Sequence, residues 1–199
     1  MKRKLIILSA LAIFVSICAA GTLAFFTAET TTHNVITTGG VDIKLNEWAD
    51  EEKTEPFENL TGVMPGRTAT KIVEVVNTGN STAWVRVKID TKITLADENE
   101  DTTTPKPVVL DGLNLGTDSI DWTYNTEDGY YYYNSPLDAG KTTEPIFTGV
   151  KFDASMGNTY QGATVTVDVT AYAVQYANNG ATVLDAQGWP NDGAETTNP

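Results

Sequence analysis

Cysteine is nearly missing. The only one, Cys18, lies inside the only long apolar run of the chain. Everything downstream of that run therefore lacks disulfides, thiolate nucleophiles and cysteine metal ligands. Histidine is equally scarce, with His33 alone in a polar stretch. No second histidine stands at helical spacing for zinc, and no serine lies in a Gly-x-Ser-x-Gly elbow. His33 therefore reads as structural or incidental. A Gly-rich phosphate loop and a Leu-Pro-x-Thr-Gly sorting motif are absent as well. Positive charge is the last shortage. Residues 25–199 keep 10 of the 13 Lys and Arg but all 26 Asp and Glu, a formal charge of −16. Such a surface repels nucleic acid and anionic membranes and favours neither as a partner.

What is present begins with a three-part N-terminus. Lys2, Arg3 and Lys4 precede an uncharged run of 16 residues, Leu5–Ala20, and small residues follow. That length suits a secretory h-region and falls short of the ~20 apolar residues of a spanning helix. Thr22 and Ala24 place small side chains where a signal peptidase reads, so cleavage is expected between Ala24 and Phe25. The alternative is a retained anchor, because Leu23–Phe26 extends the run to spanning length. Ile17 before Cys18 argues against lipidation. With cleavage, no membrane anchor remains and the product is secreted.

The rest of the chain reads as β structure, rich in Thr, Val, Asn and Gly and poor in long amphipathic stretches. Val41–Leu45 alternates apolar and polar residues, Met64-Pro65-Gly66 is a turn, and Thr70–Val76 is a strand closed by Asn77-Thr78-Gly79-Asn80. In the clearest strand Ala83, Val85, Val87 and Ile89 share one face, and Arg86 and Lys88 the other. Asp121–Tyr124 and Tyr130–Tyr133 form a hairpin around a five-residue loop ending at Gly129. Ile146–Phe152 is a short strand, and Val165, Val167 and Val169 alternate with Thr166 and Asp168 in a long terminal one. The expected buried set is Val85, Val87, Ile89, Val165, Val167 and Val169, with Arg86, Lys88 and Thr166 outside. Residues 96–107 read as an exposed acidic excursion, and residues 179–199 as a flexible tail. The sum is an all-β, antiparallel two-sheet sandwich in one domain, residues 41–178, behind a signal segment (1–24) and an N-terminal segment (25–40).

Few residues offer chemistry. Asp97, Asn99 and Asp101 place oxygen ligands at alternate positions, as a calcium loop does. The Gly at the sixth position and the Glu at the twelfth are missing, where Thr102 and Val108 stand. A solvated acidic loop is the plainer reading. The tyrosine run with Trp122 and Tyr124 could stack sugars, although alternation turns two of those tyrosines inward. No catalytic residue and no cofactor is assigned.

Ordered along the chain, these pieces resemble the TasA/camelysin family of exported proteins processed by a SipW-type signal peptidase. The resemblance is carried by Gly21–Thr27 at the processing site and Gly39–Ile43 at the first strand. Asn59–Gly66 with Val75–Gly79, and Tyr160–Ala163 with Ala171–Tyr176, complete it. The stretch from about residue 95 to 160 fits less well. The resemblance implies a jelly-roll-like sandwich that polymerises into biofilm-matrix fibres, the N-terminal segment of one subunit adding a strand to the next. Phe25, Phe26, Val35 and Ile36 are the apolar residues of that segment, and an added strand would satisfy backbone groups on both chains. Alternatively the segment folds back on its own subunit or stays disordered. The partners implied are other copies of the chain, an accessory matrix protein and, during export, signal peptidase. A camelysin-like surface metalloprotease is the second reading, and a carbohydrate-binding or adhesive module the third.

Overall fold

The computed structural model describes residues 26–29, 34–37 and 41–190. Eleven strands are present among them: β1 (Phe26–Glu29), β2 (Asn34–Thr37), β3 (Ile43–Trp48), β4 (Leu60–Val63), β5 (Thr68–Asn77), β6 (Ala83–Thr94), β7 (Val108–Asp111), β8 (Trp122–Tyr124), β9 (Tyr131–Tyr133), β10 (Phe147–Phe152) and β11 (Thr164–Gln175). One sheet runs β4-β1-β11-β6-β9-β8, with β2 also on β11, and the other runs β3-β5-β10-β7. Pairing is antiparallel except where β1 and β2 run parallel to β11. The all-β sandwich expected from alternation is thus the fold.

Two long strands make its spine. β6 and β11 pair over twelve residues, from Thr164 opposite Thr94 to Gln175 opposite Ala83. With a period of two, this register sends Val85, Val87, Val165, Val167 and Val169 to one side, and all five are buried. Ile89 is half-buried against the same core. Val73 and Val75 of β5 and Phe147 and Phe152 of β10 face them from the second sheet. Burying each such side chain contributes about 1.5–3 kcal/mol, which fixes the register against a one-residue slip.

The turns follow their chemistry. Gly129 closes the β8–β9 hairpin at φ +76°, and Gly66 sits at φ +75° after Pro65. Alternation alone did not mark β4 or β7 as strands. β4 holds only one partner and β7 is a sheet edge, so neither carries a regular buried stripe.

Two expectations are corrected. Arg86 is not outside but buried, 8 % exposed. Residues 179–190, within the stretch expected to be a flexible tail, pack back onto the outer face of the larger sheet. There Val183, Ala186 and Trp189 join Trp84, Tyr130, Tyr132, Tyr172 and Val174 in a second apolar cluster. The physical reason is shared: the face that alternation assigns to solvent carries aromatic rings, and the returning chain covers them.

Candidate functional site

The N-terminal segment lies in its own sheet. β1 fills the gap between β4 and β11, with Thr27, Ala28 and Glu29 opposite Thr164, Val165 and Thr166. On its other side Phe26 stands opposite Val63 and Ala28 opposite Leu60. β2 continues along β11, placing Val35 opposite Ala171 and Ile36 opposite Tyr172. In the single chain, then, the segment folds back, the alternative the sequence leaves open. β4 pairs with no other strand, so β1 is all that joins it to the sheet. Removing β1 and β2 would strip the outward backbone groups of β11 and leave a slot. Ala24, Phe25 and His33 lie outside the described residues.

On the outer face of the same sheet, a cross-strand row runs Tyr172–Arg86–Tyr132 over β11, β6 and β9. The Arg86 guanidinium lies 3.7 Å from the centroid of the Tyr130 ring, 4.7 Å from Trp189 and 5.2 Å from Tyr172. It donates to the Tyr132 hydroxyl and to the Pro190 carbonyl, both at 3.3 Å. Its buried Nε finds no hydrogen-bond partner, so ring faces hold this cation more than polar groups do. The returning chain is tied at its base, where the Trp84 indole donates to the Asn179 carbonyl at 2.8 Å and the Gln187 N–H to Asn179 Oδ1 at 2.7 Å.

Between the sheets sits a second buried cation. Lys71 of β5 shares the inward face of Val73 and Val75, and Glu47 of β3 that of Ile43 and Leu45. Glu47 stands opposite Val73, which leaves Lys71 diagonal to it. Lys71 Nζ and Glu47 Oε2 are 2.7 Å apart, with side chains 2 % and 3 % exposed. The Phe57 ring lies 4.2 Å from Nζ. Burial pushes the Lys71 amine below its ordinary value, against the pull of Glu47 and Asp168. Burial also raises the carboxyl of Asp168, as does Asp90 directly opposite it. Parity could have revealed this pair, since Lys71 shares the face of Val73 and Val75 within Thr70–Val76 and Glu47 continues the face of Ile43 and Leu45 two residues beyond the strand that alternation identifies.

The acidic loop does not gather its oxygens. Asp97 accepts from the Asn99 N–H at 3.2 Å. Asp101 accepts from the Thr103 N–H and hydroxyl at 3.1 and 2.6 Å and from the Tyr160 hydroxyl at 3.0 Å. These bonds from Asn99 and from Thr103 hold both carboxyls below the usual range. Among the described residues no group of three or more His, Cys, Asp and Glu could hold a metal. The aromatic run divides as alternation predicts. Tyr131 and Tyr133 pack on the inter-sheet core, Tyr130 and Tyr132 lie under the returning chain, and Tyr124 is the exposed one, 44 % open.

The fold and these features define a thiol-free β-sandwich whose N-terminal strand occupies a slot in a sheet otherwise built by the rest of the chain. The chain belongs to the camelysin metallo-endopeptidase family, whose model matches residues 1–106. That stretch covers β1 to β6 and all but the last residue of the acidic loop. No curated protein and no solved structure matches. The family's name implies a metal, but the described residues supply no donor set that fits one. Among them, no helix is long and apolar enough to cross a membrane.

Proposed function

We propose that this protein is an exported structural subunit that polymerises into extracellular matrix fibres by donating its N-terminal strand to a neighbour. One observation carries the reading. β1 (Phe26–Glu29) and β2 (Asn34–Thr37) both lie along β11, β1 also beside β4, and in the chain only residues 38–42 separate β2 from β3. An identical segment from another copy would make the same backbone bonds in the same register. Exchange therefore keeps every pairing while linking two chains. Each subunit gives one strand and receives one, so the contact is head-to-tail and propagates as a filament.

Export fits the cationic and apolar start of the chain, and processing between Ala24 and Phe25 would free the donated strand from the membrane-inserted run. Signal peptidase would thus permit growth only outside the cell. The acidic surface keeps unassembled subunits apart and soluble. Electron microscopy of the processed protein tests this directly: filaments are expected, and monomers at every concentration would overturn it. The family's name favours a second reading, a surface metallo-endopeptidase. Casein cleavage that a chelator abolishes, in the same protease-free sample, would establish that reading instead.

A further inference from the structure

A charged pair sealed between two apolar sheets is costly unless it does something, and Lys71 with Glu47 is sealed. The diagonal between neighbouring strands brings two long side chains onto one face. Their contact atoms are 2.7 Å apart, and both side chains are almost fully enclosed. Phe57 closes the site, its ring against Nζ and its backbone N–H on the Glu47 carbonyl at 2.9 Å. Desolvation weakens the ammonium. The neutral pair that amide formation requires, an amine facing a carboxylic acid, is one proton transfer away across the 2.7 Å contact. In water, ionisation of both partners opposes amide formation between them. In a dry site that opposition is removed, and fixed proximity supplies an effective molarity on the order of 10⁵ M or more.

We propose that Lys71 and Glu47 become joined by an amide bond between Nζ and Cδ. The amine lone pair attacks Cδ, and the tetrahedral adduct loses one carboxyl oxygen. That oxygen departs as water, taking the acid proton and one proton from nitrogen. Nothing is oxidised or reduced, and no co-reactant is needed. The bond ties β3 to β5 and closes the chain between residues 47 and 71. It gives a chain with no thiol beyond Cys18 the kind of cross-link a disulfide would provide. The inference stands apart from the fibre reading, because it needs only the folded monomer.

Intact-mass spectrometry of the folded, processed protein is the test. The expected mass is lower than that of the chain by one water. Tryptic digestion should yield a branched peptide joining residues 45–53 to residues 68–86, uncut after Lys71. Lys71→Met, which keeps length and adds apolar packing, should restore the full mass and the ordinary cleavage pattern elsewhere. A wild-type mass equal to that of the unlinked chain overturns the proposal and needs no variant to fold. A missing water that maps to any other residue pair, or to an aspartyl ring closure, overturns it too.

Discussion

Asn77 illustrates how much one side chain can settle. It ends β5 fully buried, donates to the Ser81 and Leu137 carbonyls at 2.8 Å each and accepts from the Gly79 N–H at 3.0 Å. Asn77→Ala removes three partners at once and should lower stability by about 3 kcal/mol, read from the urea midpoint at unchanged slope. Arg86 makes a contrasting case, since aromatic faces hold it. Arg86→Ala should cost about 2 kcal/mol, and Arg86→Met less, because methionine refills the space between the rings. Asp168 gives a pH signature. Its folded-state carboxyl is raised above the unfolded value of roughly 3.9, so its ionised form burdens the fold at neutral pH. Asp168→Asn should therefore be more stable than wild type at pH 7 by about 0.5 kcal/mol, the scale of a like-charge cross-strand pair. That gap should close as the pH falls through the raised value and be gone below the unfolded one. A gap that widened towards acid would contradict the assigned cause.

Elements were legible in proportion to how regularly they bury one face. β6 and β11 stand out in the sequence because their aliphatic residues, Val174 apart, keep one parity, even where the returning chain buries the outer face as well. The β8–β9 hairpin stands out by its turn, a loop ending at Gly129. Val87→Ala and Val167→Ala should each cost about 1–3 kcal/mol through lost burial and a cavity. β7 could not be read, since its exposed Val109 interrupts the pattern. The segment after Asn178 was misread because its Asn, Gly, Asp and Pro content resembles a frayed end. Three apolar residues, Val183, Ala186 and Trp189, decide otherwise by meeting a ring cluster that β6, β9 and β11 bring together. Ending the chain at residue 178 should bare Trp84, Tyr130 and Tyr132. Binding of a hydrophobic dye and a lowered thermal midpoint are the expected readouts, with the sandwich still folded.

Assembly belongs to the whole molecule. Deleting residues 25–38 should abolish filament growth if donation is the mechanism. It should also lower the thermal midpoint, because β1 and β2 complete the subunit's own sheet. A synthetic peptide of residues 25–38 should restore the midpoint of the truncated protein by refilling the slot. In excess over the full processed chain, it should stop elongation. Filaments growing unhindered from the truncated protein would remove the N-terminal strand from the mechanism.

The amino-acid sequence alone determined that no thiol follows Cys18, the acidic character of this chain, its β class and the inward faces of its long strands. Those properties are local, set by residue type and by a side-chain period of two. The family resemblance, carried by short turn and strand motifs in order, was legible for the same reason. Only tertiary structure decided where the N-terminal strand lies, that Arg86 is enclosed by four aromatic side chains, and that Lys71 meets Glu47. Each depends on segments far apart in the chain becoming neighbours. Such pairing is chosen by the burial of the whole, and no window of sequence contains it.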